Sequence, residues 1–188
     1  AAFNTIKITP SFFISEGIYV SENGGLAWSG NDTCSGEIVT LHGGDPGITI
    51  DRNGTFILTR MGRSPLNGLY SHYSTDNGRT WRPLAKTTLP NPNSGTDAVT
   101  LKDGRQLLVY NHSSPLPETP TKGLRYPLDI GISTDGVTWK RVLTLESEPI
   151  GNGYAYPAVI QSADGLIHVT YTWDRKRIKH VVLDPRKL

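Results

Sequence analysis

Three short segments of this chain share one plan: a run of β-favouring residues, a tight glycine turn, and a second such run. They cover residues 48–58 around Asn53-Gly54, residues 98–110 around Asp103-Gly104, and residues 158–171 around Asp164-Gly165. Asn-Gly and Asp-Gly between β-rich runs are the strongest short-range hairpin signal, because the two-residue turn needs the positive φ that these residues tolerate. A hairpin cannot bury its apolar face alone, so a chain that repeats hairpins must stack them into sheets that share a core. The expectation is an all-β fold.

A second hairpin follows the first two of these, and its turn carries a longer pattern. Ser74-Thr75-Asp76-Asn77-Gly78-Arg79-Thr80-Trp81 has the form Ser-x-Asp-x-Gly-x-Thr-Trp, and Ser133-Thr134-Asp135-Gly136-Val137-Thr138-Trp139 has it with one residue deleted. A looser copy, Ser21-Glu22-Asn23-Gly24-Gly25-Leu26-Ala27-Trp28, puts Asn for Asp and Ala for Thr. In such a turn the carboxylate accepts hydrogen bonds from turn amides, Gly supplies a φ that other residues resist, and Trp packs its ring between sheets. Asp76, Asp135, Trp81 and Trp139 therefore read as a folding device rather than as catalytic groups.

Composition agrees with a turn-rich globular chain: of 188 residues, 36% are hydrophobic, 19% are charged, 20 are Gly and 13 are Pro. A net charge of +2 with both signs interspersed provides no stripe for a phosphate backbone, so no nucleic-acid partner is expected. No apolar run approaches the roughly 20 residues that span a bilayer, and no signal peptide is read at the N-terminus; the expectation is a soluble chain without a membrane partner. The first residue is not Met, which suits a mature or trimmed product. Cys34 is the single cysteine, so stability must come from packing rather than from disulfides. Asn31, Asn53 and Asn111 each open an Asn-x-Ser/Thr sequon, and the resulting expectation is a secreted or extracellular protein. No residue cluster has metal-ligand spacing and no loop suits a phosphate, so neither metal nor cofactor is expected.

Four strands per module at a period of roughly 50 to 60 residues describe the blade of a β-propeller. One domain over residues 1–188 is expected, with four-stranded antiparallel blades at about 40–88, 89–145 and 150–188 and a partial blade at 1–39. Arg63-Ser64-Pro65-Leu66 and Arg125-Tyr126-Pro127-Leu128 precede the two good Asp turns, so each module carries an Arg in the loop entering its second hairpin. Together with Asn93-Ser94-Gly95-Thr96-Asp97-Ala98 and Tyr156-Pro157-Ala158-Val159-Ile160-Gln161, these features resemble the sialidase (neuraminidase) superfamily and its Asp-box, or BNR, repeat relatives. The resemblance is firmest over about residues 89–185. It implies a sialidase-like propeller, here an incomplete or small ring of about three to four blades; because an incomplete ring leaves strand edges and blade faces open, the expectation is a fragment, a small-ring variant, or a half-propeller completed by a second copy of the chain.

Aligning the three first hairpins on their turn glycines places Asp45, Thr96 and Tyr156 in one column and Pro46, Asp97 and Pro157 in the next. In a propeller these positions open the innermost strands, where Asp45, Asp97 and Tyr156 could converge. The resemblance implies a Tyr nucleophile, an acidic partner for it, a separate Asp as acid/base, and arginines on the carboxylate of an acidic sugar. Carried over, Tyr156 is the nucleophile and Arg125 the last carboxylate-binding Arg. Asp97 is the partner where the family has Glu, and Asp45 is the acid/base. Arg60 and Arg63 are further candidate cations from the neighbouring module. The chain departs from the pattern where Asn111 and His112 stand in place of the middle Arg, and no Arg-Ile-Pro signature is present.

Two functions of different kinds follow: a sialidase-like glycoside hydrolase acting on glycans with a terminal acidic sugar, and a lectin-like propeller that binds glycans without cleaving them. A purely structural propeller is the third. Tyr156 as an inter-sheet packing aromatic, Arg125 as a solvated loop residue and His112 as a hydrogen-bonded loop residue are the competing readings of those side chains.

Overall fold

The computed structural model describes the backbone of residues 2–8, 14–20, 29–31, 47–50, 56–62, 68–75, 82 and 85–188. Side chains are described for Gly68, Leu69, Thr75 and Arg82, and from Ala85 onward except at 119–122. The described residues form sixteen strands: β1 (Ala2–Ile8), β2 (Ile14–Val20), β3 (Ser29–Asn31), β4 (Gly47–Ile50), β5 (Phe56–Gly62), β6 (Gly68–Ser74), β7 (Ala85–Lys86), β8 (Asp97–Thr100), β9 (Gln106–Asn111), β10 (Pro115–Leu116), β11 (Thr119–Gly123), β12 (Leu128–Ser133), β13 (Lys140–Glu146), β14 (Tyr154–Gln161), β15 (Ile167–Trp173) and β16 (Arg177–Leu183). A short 3-10 turn at Pro185–Lys187 ends the chain. Among the described residues no helix is long and apolar enough to cross a membrane.

All pairings are antiparallel and follow chain order. The sheets are β1-β2-β3, β4-β5-β6-β7, β8-β9-β12-β13 and β14-β15-β16, with β10-β11 as a separate hairpin inserted between β9 and β12. Two of them have the four strands expected of a module; the last has three, and the inserted hairpin was not anticipated. The described sheets do not close into a ring.

The turns form as their residues dictate. Gly104 and Gly165 adopt φ of 89° and 88°. The Asp103 carboxylate accepts the Arg105 N–H at 3.0 Å, and Asp164 accepts the Leu166 N–H at 3.0 Å. At residues 133–139 the Asp135 carboxylate accepts the N–H groups of Val137 at 2.8 Å and Thr138 at 2.7 Å, which, with the Thr138 amide contributing most, holds its pKa down at about 2. The Ser133 hydroxyl accepts the Gly136 N–H at 2.8 Å, Gly136 takes φ of 72°, and the Trp139 indole N–H donates to the Gly136 carbonyl at 3.0 Å. The corresponding Asp76-Trp81 and Trp28 turns lie outside the described residues.

Strand β9 shows how the sheets stack. All six of its residues are buried, and alternate ones enter different cores. Leu107 and Val109 pack with Leu128, Ile130, Tyr154, Val159, Val169 and Tyr171, between this sheet and β14-β15-β16. Leu108 and Tyr110 pack with Leu69, Leu89, Ala98 and Trp139, on the side of the β4–β7 sheet. A strand apolar on both faces is one that lies between two layers. Gly131 makes room for the Trp139 ring: a Cβ there would lie 3.4 Å from Leu89 and Tyr110 and 3.7 Å from Trp139. Trp139 is 5% exposed, so its truncation removes a large apolar ring from a filled layer. Trp139→Ala should lower the unfolding free energy by about 3–5 kcal/mol, measured by urea denaturation; a loss under about 1 kcal/mol would contradict this packing.

Candidate functional site

Strand β14 contains the central irregularity of the site. Ala155 pairs with Thr172 and Ala158 with Thr170, so Tyr156 and Pro157 together oppose the single residue Tyr171. This is a β-bulge, and Pro157, which has no N–H to leave unpaired, suits it. Tyr156 takes φ of 52°, a left-handed conformation that costs a non-glycine residue on the order of 1–3 kcal/mol. The bulge turns the Tyr156 ring outward, and it is 53% exposed. Tyr156 is therefore not an inter-sheet packing aromatic; Tyr154, 1% exposed with its hydroxyl donating to the Glu148 carbonyl at 2.9 Å, fills that role.

The Arg125 guanidinium lies over the Tyr156 ring, 5.3 Å from its centroid. Among the described residues Arg125 has no acidic partner within ion-pair distance, and its Nη1 is buried without a hydrogen bond. Its backbone is held against β14: the Arg125 carbonyl accepts the Tyr154 N–H at 2.8 Å. Gly153 allows this approach. It has φ of 68°, and a Cβ on it would stand 2.6 Å from the Arg125 Cβ and 2.8 Å from the Arg125 carbonyl oxygen.

Asp97 opens β8 and reaches the same strand. Because β14 is the edge of its sheet, its outward N–H groups need partners from elsewhere, and the Asp97 carboxylate accepts the Val159 N–H at 2.8 Å. Burial pushes the Asp97 pKa up, against the lowering effect of the Val159 and Ala98 amides. Asp97 is thus part of the clamp between β8 and β14, two residues beyond the Tyr156-Pro157 bulge along β14. A second clamp runs through Asn111, whose amide donates to the Tyr154 carbonyl at 3.1 Å while its oxygen accepts from the Ser94 hydroxyl at 2.6 Å. Asn111 is fully buried, so the sequon there is not an acceptor for glycosylation in the folded chain.

Of the other sequence candidates, Arg60 lies on β5 opposite Tyr70. Asp45 and Arg63 lie outside the described residues. Arg175 and Lys176 lie in the exposed turn between β15 and β16, and Arg177, which opens β16, stacks on Trp173 at 3.9 Å from its centroid. Among the described residues no group of three or more His, Cys, Asp or Glu could hold a metal ion. The residues that sequence reasoning missed are Gly153 and the Asn111 clamp. A glycine followed by Tyr-Ala-Tyr-Pro signals a tight turn at most, and the clamp joins positions 43 residues apart.

A family model described as a BNR repeat-like domain matches residues 14–169. The chain belongs to this BNR repeat-like family. No curated protein matches it in sequence. Among solved structures, the intramolecular trans-sialidase of Ruminococcus gnavus in complex with oseltamivir carboxylate is 16% identical with a TM-score of 0.69, over 92% of this chain and 38% of that one. A variant of the NanB sialidase of Streptococcus pneumoniae is 15% identical with a TM-score of 0.72, over 100% of this chain and 29% of that one. The Trypanosoma rangeli sialidase in complex with the inhibitor DANA is 16% identical with a TM-score of 0.66, over 91% and 27%. This BNR repeat-like chain therefore has a sialidase-like fold along nearly all its length, and spans well under half the length of those proteins.

The packing of Gly153 under Arg125 makes a specific expectation. Gly153→Ala adds a Cβ where there is no space and where φ is positive, so it should destabilise the fold by more than about 1 kcal/mol in chemical denaturation. An unchanged midpoint would contradict the placement of Arg125 against β14.

Proposed function

We propose that this chain is the part of a sialidase-like glycoside hydrolase that receives the carboxylate and anomeric carbon of a terminal acidic sugar. The observation that carries the reading is Tyr156: a tyrosine in a left-handed backbone conformation, turned out of the core and lying under an arginine without an acidic partner among the described residues. Strain of this kind is retained where the surrounding structure over-determines it, as functional sites do. A planar guanidinium grips a carboxylate through two parallel hydrogen bonds, and a neutral tyrosine nucleophile avoids repulsion by an anionic sugar.

In this reading the Tyr156 Oη–carbon bond forms as the glycosidic carbon–oxygen bond breaks. The tyrosine proton passes to Asp97, and the leaving oxygen takes a proton from Asp45. Water then cleaves the tyrosyl intermediate, with Asp45 acting as base. Arg125 holds the carboxylate, with Arg63 and Arg60 as further cations. Burial that raises the Asp97 pKa favours its accepting a proton. The sheet of β14, β15 and β16 exposes Ile160, Ile178 and Val182 on one face, which suits coverage by a further sheet, from more of a propeller or from a second copy of the chain. An extracellular setting belongs to the same reading, since glycans with terminal acidic sugars are displayed there.

The second reading, a lectin-like glycan-binding protein, is favoured by one observation: the Asp97 carboxylate already accepts the Val159 N–H. The two separate on Tyr156→Phe. As a hydrolase, the variant should lose turnover of an acidic-sugar aryl glycoside by a factor of 100 or more, on the order of 2.7 kcal/mol in barrier height, while keeping its melting temperature. Arg125→Ala should chiefly weaken binding. Sugar binding without turnover in the unmodified chain would decide for the lectin.

A further inference from the structure

The hairpin of β15 and β16 carries a basic run that the site at Tyr156 does not use. Trp173 and Arg177 are direct cross-strand partners, so their side chains share a face. In the tight turn between them Asp174 and Arg175 both take left-handed backbone conformations, with φ of 50° and 55°, and the Lys176 N–H donates to the Trp173 carbonyl at 3.0 Å. The turn is also held from outside itself. The Asp174 carboxylate accepts the Asn152 N–H at 2.7 Å, and the Asp174 N–H donates to the Gly153 carbonyl at 2.9 Å. The start of β16 is thereby fixed, and the Arg177 guanidinium lies 3.9 Å from the centroid of the Trp173 ring.

The charges of this hairpin are not all balanced. Lys176 pairs with Asp174 at 2.6 Å, and Lys179 pairs with Glu146, which also accepts the Tyr171 hydroxyl. Arg177 has no acidic partner within ion-pair distance among the described residues. A guanidinium stacked on an indole gives its flat face to the ring and keeps its N–H fork in plane for an acceptor. Trp173, Arg177, Ile178 and Lys179 line an open hollow of about 380 Å³, within the roughly 300–1,000 Å³ of small-ligand sites. Its lining is mainly apolar, from the indole, the exposed Ile178 and the Lys179 stem. A bare inorganic anion would use the single unpaired cation and nothing of the apolar wall. An acidic sugar uses both, its C–H face on the wall and its oxyanion on the guanidinium fork.

We propose that the hollow at Trp173 and Arg177 is a second saccharide-binding site, one that takes an acidic sugar unit through a carboxylate or a sulfate ester. Arg177 grips the oxyanion, and Trp173 is the positioning residue that holds the guanidinium flat. The site stands apart from Tyr156 and Arg125 and requires no bond cleavage there. A cation–π pair that only stabilised the hairpin would leave saccharide affinity unmoved by changes at Arg177.

Calorimetric titration of the Arg125→Ala chain with trigalacturonate, a sulfated galactan trisaccharide and neutral galactotriose tests the proposal with the Arg125 contact removed. Either or both acidic trisaccharides should bind, which identifies carboxylate or sulfate as the group held, and galactotriose should bind at least 10-fold more weakly. Adding Arg177→Gln should weaken the acidic ligand roughly 10-fold or more, as expected for loss of hydrogen bonds to a charged acceptor. Arg177→Lys should weaken it comparably, since an ammonium has neither the planar fork nor the stack. The Trp173 indole N–H resonance of the 15N-labelled chain should shift as the ligand is added. Affinity kept in Arg177→Gln or in Arg177→Lys, binding that leaves the Trp173 resonance in place, or no binding of either acidic trisaccharide would overturn the proposal. None of these outcomes bears on turnover at Tyr156, which the Tyr156→Phe comparison decides separately.

Discussion

Burial of the β8-β9-β12-β13 sheet on both faces is the constraint from which the rest of the described structure follows. Leu107 and Val109 on one side and Leu108 and Tyr110 on the other fix this sheet between its neighbours. Because register decides which face each side chain meets, a slip by one residue would exchange the two cores, and the hairpin turns at Gly104 and Gly136 hold the register in place. Trp139 then closes the layer at the outer hairpin, with its indole N–H satisfied by its own turn.

This packing carries the site to its geometry. The sheet end near Asp97, Asn111 and Leu128 faces the start of β14, and three contacts cross the gap: Asp97 to the Val159 N–H, Asn111 to the Tyr154 carbonyl, and the Arg125 carbonyl to the Tyr154 N–H. They flank the bulge at Tyr156 and Pro157. A strand anchored on both sides of an extra residue has to project it, and the left-handed conformation of Tyr156 is the cost of that projection. The clamps explain why Asn111 is compatible with the fold where the sialidase pattern has an Arg: here the position is structural, its amide spent on the Tyr154 carbonyl and its oxygen on the Ser94 hydroxyl.

Much of this architecture was legible in the sequence because it is local. Asp103-Gly104, Asp164-Gly165 and the turn ending in Trp139 specify their own hydrogen bonds within a few residues, so the hairpins and the buried Trp139 could be expected from the residues themselves. Tyr156 was singled out by resemblance, but its exposure was not readable, since Tyr154 and Tyr156 occupy the same parity of one strand until the bulge separates them. The bulge depends on how β14 pairs with β15, and the double use of Asp97 depends on an amide 62 residues away. Gly153 was equally hidden, because its value lies in the Arg125 backbone packed against it. The third strand ending the last sheet, where four were expected, concerns pairing beyond any single hairpin.

The central claim is that the bulge in β14 and the Arg125 loop form one receiving surface for an acidic sugar. A crystal structure of the chain with bound DANA tests it most directly. The account predicts the ligand carboxylate within hydrogen-bond distance of the Arg125 guanidinium, with the ring carbon that bears it above the Tyr156 hydroxyl. DANA bound at another face of the sheets, with Arg125 and Tyr156 untouched, would contradict it.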